Sequence, residues 1–222
     1  MKSLFICFGV LLFTGCSTLE TYIENADKHY EVVPILVEQK LFKPRTVIMG
    51  NYSLVRQKDR FDDSFSFSLG SGFYNKNDSN YLLYRENTPV YAVVIASQTV
   101  GLTMANDSTL GITQRSLRFA GDSVTKELRI DGADKYLSVN DEIAGTVSIT
   151  EYKSKNKNDS KGDWKIHTGF TVTVNGEEYG ILALYNAGFY RSKSYSGKKD
   201  SEFDDRMAIY VLAVYESWNL KE

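Results

Sequence analysis

Residues 164–185 read WKIHTGFTVTVNGEEYGILALY, two runs rich in apolar and β-branched residues that meet at Asn175 and Gly176. Both turn residues accept positive φ, so the pair predicts a two-residue type I′ hairpin. The turn then sets the register: Val174 faces Glu177, Val172 faces Tyr179, Phe170 faces Ile181, Thr168 faces Ala183 and Ile166 faces Tyr185. The opposite face holds Thr173 with Glu178, Thr171 with Gly180, Gly169 with Leu182 and His167 with Leu184. A one-residue slip would mix the two sets, so turn chemistry and hydrophobic pattern agree on an antiparallel pair.

Similar patterns recur on the N-terminal side. Thr46 to Val55 alternates as one strand with Thr46, Ile48, Gly50, Tyr52 and Leu54 on one face, and Ser64 to Leu69 sets Phe65, Phe67 and Leu69 against three serines. Gly70 and Gly72 end that run, Asn75 to Asn80 reads as a polar loop, and Tyr81 to Tyr84 as a short strand. Val90 to Ala96 is continuously apolar, as expected of a strand buried on both faces. Val124 to Ile130 alternates weakly up to the turn pair Asp131 and Gly132, and Ile143 to Thr150 alternates into a basic loop, Lys153 to Gly162. Met207 to Tyr215 is an unbroken apolar run that reads as a central strand closing the sheet, with a buried helix as the alternative. Val32 to Phe42 fits either a helix opened by Pro34 or a strand. The sum is about nine strands in one antiparallel all-β domain, a β-sandwich or a β-barrel, preceded by a short N-terminal helix.

The chain starts differently. Met1 and Lys2 precede a mostly apolar run from Leu4 to Phe13, too short for the roughly 20 residues of a membrane-crossing helix. At its end Phe13, Thr14, Gly15 and Cys16 resemble the lipobox of bacterial lipoproteins, with Phe13 where the family prefers Leu. The resemblance covers only residues 1–16 and implies cleavage before Cys16, fatty-acyl chains of the palmitate type on that cysteine, and attachment to a membrane of the cell envelope. Ser17, in place of Asp, points to the outer membrane by the same resemblance. An ordinary secretory signal cut elsewhere is the alternative. The layout expected is a signal peptide over 1–15, a lipidated tether over 16–44 and a β domain over 45–222. Within the tether, Leu19, Tyr22, Ile23, Ala26 and Tyr30 follow helical spacing behind a Ser17/Glu20 capping pair, predicting an amphipathic helix from Thr18 to His29. Its polar face carries Glu20, Glu24 and Asp27, which favours packing on the domain over binding to anionic lipid.

Composition narrows the chemistry. A net charge of −2 with no basic stripe argues against nucleic acid. The two cysteines are Cys7 in the leader and Cys16, so a processed domain has no thiol for redox chemistry, and His29 and His167 lie too far apart in sequence to suggest a zinc site. The 15 tyrosines and 12 phenylalanines suit a β-rich core, or else an aromatic platform for a glycan, peptide or apolar ligand.

The marked catalytic motifs are missing from the sequence, which leaves no cofactor or metal expected. Ser-x-x-Lys spacing occurs at Ser123/Lys126, Ser154/Lys157 and Ser196/Lys199, as chance allows in a chain rich in both residues. Asn75, Asn77, Ser79 and Glu86 fall at calcium-loop offsets without the leading Asp or the glycine, and Asp200, Glu202, Asp204 and Asp205 are flanked by Lys198, Lys199 and Arg206. Asn186 to Ser196 is the best candidate for binding a partner, because Phe189, Tyr190, Arg191 and Tyr195 interleave aromatic and cationic groups in a stretch without strand pattern. The expectation is a non-enzymatic, lipid-anchored envelope protein that binds a partner or supports an assembly. The alternatives are a barrel enclosing a small apolar ligand and an unmarked hydrolase-type enzyme.

Overall fold

A computed structural model describes residues 21–39, 41, 43–57, 64–103, 109–119, 126–129, 136–155 and 165–219. The signal segment, Cys16 and the Asp131/Gly132 turn lie outside these residues. The elements in chain order are α1 (Ala26–His29), β1 (Tyr30–Glu38), β2 (Thr46–Met49), β3 (Tyr52–Arg56), β4 (Ser64–Leu69), β5 (Gly72–Arg85), β6 (Thr88–Thr103), β7 (Thr109–Phe119), β8 (Lys126–Arg129), β9 (Tyr136–Asp141), β10 (Gly145–Lys155), β11 (Lys165–Val174), β12 (Glu177–Ala183), β13 (Gly188–Ser192) and α2 (Ser201–Asn219). All strands join one antiparallel sheet along the path β8-β7-β6-β5-β3-β2-β1-β13-β12-β11-β10-β9, with β4 paired to β5 beside it. The all-β expectation holds. The count does not: thirteen strands are present among the described residues where about nine were expected.

The largest correction concerns Met207 to Tyr215, which is the middle of α2 and not a strand. Every residue from Asp205 to Ser217 is buried, so no side of the helix is left to solvent. A helix enclosed on all sides is apolar on all sides and loses the period that marks an amphipathic one. The local start signal is Asp200, whose Oδ1 accepts the Phe203 amide at 2.8 Å as an N-cap. Side chains of α2 touch Tyr52 on β3, Tyr81 on β5, Phe119 on β7, Asp141 on β9, Phe170 on β11 and Tyr179 on β12. Strands from the whole length of the path meet one helix, so the sheet curls around it.

The other differences are local. Thr46 to Val55 is a hairpin, because Gly50 at φ +60° turns the chain and pairs Met49 with Tyr52. Val47, Met49, Tyr52 and Leu54 thereby share the core face. Asn75 to Asn80 is part of β5, held between β4 and β6, with the Ser66 hydroxyl donating to Asn75 Oδ1 at 2.7 Å. The ambiguous stretch that starts at Val32 is strand as far as Glu38 and forms most of β1, which is hydrogen-bonded between β2 and β13, so the described sheet includes Tyr30 to Glu38. Val93 and Ile95 are buried in β6 while their neighbours on the other face are only half-buried.

The Asn175/Gly176 turn forms as expected, with both φ values positive and Val174 opposite Glu177. Beyond Thr173 and Glu178 the expected register fails, because Tyr179 is an extra residue and Val172 pairs with Gly180, Phe170 with Leu182 and Gly169 with Ala183. This β-bulge places the Tyr179 ring among Phe189, Tyr195 and Phe203, at centroid distances of 5.6, 5.1 and 5.8 Å. A second bulge leaves Thr168 unmatched, since Tyr152 pairs with Gly169 and Lys153 with His167. His167 therefore does not sit opposite Leu184; it shares the α2 side with Phe170, and both rings contact Trp218.

The N-terminal helix is the four residues of α1, shorter than the expected Thr18 to His29. Ahead of it the chain lies across the sheet. The Thr21 hydroxyl donates to the Thr168 carbonyl at 2.7 Å, the Tyr22 amide to Ser154 Oγ at 3.3 Å, and Tyr152 Oη to the Tyr22 carbonyl at 3.1 Å. Ile23, like Ile181 and Ala183, is buried outside the main cluster around α2. The segment packs on the domain, as its acidic character suggested.

Removing a side chain from the enclosed helix should open a cavity that the surrounding wall cannot close. Leu212→Ala is expected to lower stability by about 2–5 kcal/mol, read from denaturant unfolding.

Candidate functional site

The polar residues of α2 are tied one by one to the strands. Asp205 Oδ1 accepts Tyr52 Oη at 3.0 Å and Arg85 Nη1 at 3.1 Å. Tyr210 Oη donates to Asp141 Oδ2 at 2.7 Å, and Asp141 Oδ1 accepts the amides of Ile143 and Ala144 at 2.9 and 3.0 Å. The Arg206 guanidinium lies over the Phe119 and Tyr91 rings at 4.5 and 4.8 Å, with its Nε 3.8 Å from Asp141 Oδ2. Near the other end Glu216 accepts Arg45 Nε on both oxygens, at 2.9 and 3.0 Å, and Tyr81 Oη at 3.2 Å. Burial and the facing carboxylates push the Tyr52 and Tyr81 phenols well above their usual range. They remain protonated donors at neutral pH. Charges buried in this way fix the depth and rotation of the helix, since breaking one pair strands the other charge.

The aromatic residues are likewise engaged inside. Tyr52, Tyr81, Tyr179, Tyr195 and Tyr210 are all buried in the cluster that surrounds α2. The interior that aromatic content offered to an apolar ligand is filled by the protein's own helix.

The segment from Asn186 to Ser196 contains β13, held between β12 and β1, and is not the strand-free loop expected. Phe189 is buried in the core, and Tyr195 stacks on Phe203 with centroids 6.0 Å apart. Gly180 makes room for this packing, because an added Cβ would meet Phe189 Cζ at 2.7 Å. Tyr190 lies edge-on to Tyr30 at 6.5 Å and accepts a hydrogen bond from Asn186, while the Arg191 guanidinium stands 6.0 Å over the Tyr179 ring. Of the four residues, Phe189, Arg191 and Tyr195 converge on the Tyr179 ring, while Tyr190 lies apart beside Tyr30. Two face the core, and two lie half-buried among neighbours.

The remaining candidates are accounted for by local partners. His167 Nδ1 is 2.9 Å from Glu151 Oε1, and Lys153 Nζ is 3.0 Å from the other oxygen of that carboxylate. Ser154 Oγ shares a hydrogen bond with Thr168 Oγ1 at 2.9 Å, and Ser196 Oγ donates to Glu177 while Lys199 Nζ lies over the Tyr195 ring. Ser123 and Lys157 lie outside the described residues. Asn75, Asn77 and Ser79 alternate along β5 away from Glu86 in the turn, and Asp200 to Asp205 are dispersed by the start of α2. Among the described residues no group of three or more His, Cys, Asp or Glu is placed to hold a metal ion.

One surface remains, and only its edge is legible in the sequence. Beyond Tyr81, β5 runs on to Gly72, roughly 30 Å along the strand, and pairs with β4 on one side and β6 on the other. On β6 the core face continues from Val93 and Ile95 to Ser97, Thr99 and Gly101, while the opposite face carries Val100 and Leu102. The β5–β6 ladder shifts only at Leu83/Tyr84, below this stretch, so the apolar side chains change faces because the sequence changes and not because the strand slips. Phe67 pairs through Tyr74 to Val100, and Leu69 through Gly72 to Leu102, which sets four large apolar side chains on one outer face. Phe67 is 53 %, Leu69 76 %, Val100 59 % and Leu102 54 % exposed. Below them Lys76 Nζ lies 3.0 Å from Asp78 Oδ2, with Arg118 Nη2 at 4.0 Å, forming a charged border. The signal was in the Phe/Ser alternation of residues 64–69, but the alternation alone places neither face inside.

Compared with protein-family models, curated proteins and solved structures, the chain matches none.

Two measurements test this assignment. Tyr195→Ala should cost about 3–5 kcal/mol of stability, as loss of a buried aromatic does, whereas Tyr190→Ala should cost clearly less in the same unfolding experiment. Asp204, on the first turn of α2, has its carboxyl pushed up by burial, partly opposed by Arg191. A raised carboxyl favours the fold below the unfolded-state value, about 3.9, and this contribution is lost as pH rises through the folded value. Asp204→Asn should therefore raise Tm relative to the parent at pH 7 and leave it nearly unchanged at pH 3.

Proposed function

We propose that the chain is an exported lipoprotein of the bacterial cell envelope, held in the outer membrane by acyl chains on Cys16, whose β domain is a non-enzymatic module for partner binding or envelope assembly. The observation that carries this reading is the closeness of the lipobox-like cysteine to the folded body: Thr21 is already hydrogen-bonded to Thr168. Residues 16–21 span at most about 18 Å when extended, so an acylated Cys16 keeps the domain against its membrane. Several acyl chains, each contributing about 0.8 kcal/mol per buried methylene, make such an attachment lasting.

Two further features support a binding module. The helix-filled interior leaves recognition to the outer surface, and the polar groups that α2 buries are matched to wall partners in ways that hold the fold. No helix among the described residues is long and apolar enough to cross a membrane, so anchoring in this reading rests on Cys16.

Mass spectrometry of the mature N-terminus, together with membrane fractionation, tests the proposal. Cys16 should be the first residue and carry acyl chains, and Cys16→Ala should move the protein out of the membrane fraction. An unmodified wild-type chain recovered free of membranes would overturn it.

A further inference from the structure

We infer that the outward apolar face of β4, β5 and β6, made by Phe67, Leu69, Val100 and Leu102, is a membrane-contacting surface that lies in the bilayer interface beside the acyl anchor. The inference rests on the lipoprotein reading above and adds a second contact with the same membrane.

The position of the two features is the first argument. Glu216, one turn from the end of α2, is bound to Tyr81, and β5 projects past Tyr81 toward Gly72, so the apolar face extends from the end of the fold where the helix stops. Thr21 is held at that same end, because its partner Thr168 lies between His167 and Phe170, whose rings contact Trp218 of the last helical turn. From Thr21 the chain runs toward Tyr30, which meets Glu178 and Ser192 near the start of α2. Cys16 is five residues before Thr21. A membrane holding Cys16 is thus no more than about 18 Å from the end that bears the apolar strands.

The chemistry of the face is the second argument. Above the Lys76, Asp78 and Arg118 border the rows Phe67–Tyr74–Val100 and Leu69–Gly72–Leu102 contain no charge, and the reverse face carries Ser66, Ser68, Asn75, Ser97 and Thr99 around one half-buried aromatic, Phe73. An exposed apolar face, a mostly polar reverse and an aromatic with cations at the boundary match the layering of a bilayer interface. Leu41, in the β1–β2 loop near the Arg45 that binds Glu216, is 84 % exposed and adds a further apolar contact at this end. A second copy of the chain is the competing occupant; it would use the same face but has no reason to share an end with the anchor.

The test uses the full chain, extracted from membranes and reconstituted in vesicles of phosphatidylethanolamine and phosphatidylglycerol. A polarity-sensitive fluorophore is placed on Leu102→Cys or, on the reverse face, on Ser66→Cys; both positions are exposed, and circular dichroism checks that the sheet is kept. The Leu102 label should emit at shorter wavelength and be quenched by nitroxide lipid at least about threefold more than the Ser66 label. Equal, solvent-like behaviour of the two labels overturns the inference, as does quenching of the Leu102 label only by a nitroxide on a second copy. Mass analysis of Cys16 in the same sample separates the two proposals. An acylated Cys16 with a solvent-like Leu102 label defeats the surface and leaves the anchor. An unacylated Cys16, with the chain added to vesicles and its Leu102 label still quenched, defeats the anchor and leaves the surface.

Discussion

The fold depends on one constraint: a helix buried around its whole circumference must meet a complement on the surrounding wall for each charged side chain it carries. From Asp205 to Ser217 no residue of α2 reaches solvent, yet the stretch includes Asp205, Arg206, Tyr210 and Glu216. Each of these finds its complement on a different part of the sheet, at Tyr52 and Arg85, at Phe119 and Tyr91, at Asp141, and at Arg45 and Tyr81. Apolar packing supplies most of the stabilisation. The polar ties select one depth and one rotation among the many that a uniformly greasy rod would accept.

The strands adjust to the helix in turn. Regular pleating would carry Thr168 and His167 to alternate faces in step with Phe170, and Tyr179 with Ile181. The two bulges break that alternation where the sheet must bend, and each uses its extra residue. At Thr168 the gained freedom serves both surfaces: its hydroxyl and carbonyl bind Ser154 and the incoming Thr21, while His167 turns inward to Trp218. At Tyr179 it builds the aromatic group that closes the sheet over Phe203, and burial pushes this phenol up to about 12.

What could be read from the residues was what depends on near neighbours. Asn175 and Gly176 announce their turn because positive φ is a property of two residues, and the hairpin register holds as far as Glu178, where a distant demand takes over. The apolar run from Met207 reads first as a strand, with the buried helix only as the alternative, because enclosure erases helical periodicity; the cap at Asp200, with Glu202 and Asp204 behind it, is the local sign of a helix start. Phe189 and Tyr195 read only as part of an aromatic stretch without strand pattern, because their place in the core depends on Tyr179 and Phe203, which arrive from other elements. The apolar outer face was half legible. Phe67 and Leu69 alternate openly, but only the ladder through β5 joins them to Val100 and Leu102.

The order of the elements along the chain has a consequence for biogenesis. The thirteen described strands all precede the helix that they surround, so synthesis delivers the wall before the filling. Until Ser201 and the residues after it arrive, Leu54, Leu83, Val93, Ile95, Leu117 and Val172 have no core to enter, and the strands present their inner faces to any neighbour. The contacts that complete the fold are also long in sequence, as from Arg45 to Glu216, which makes their closure slow. A nascent chain of this design stays unfinished until α2 is released, and a truncation within α2 removes the centre of the domain.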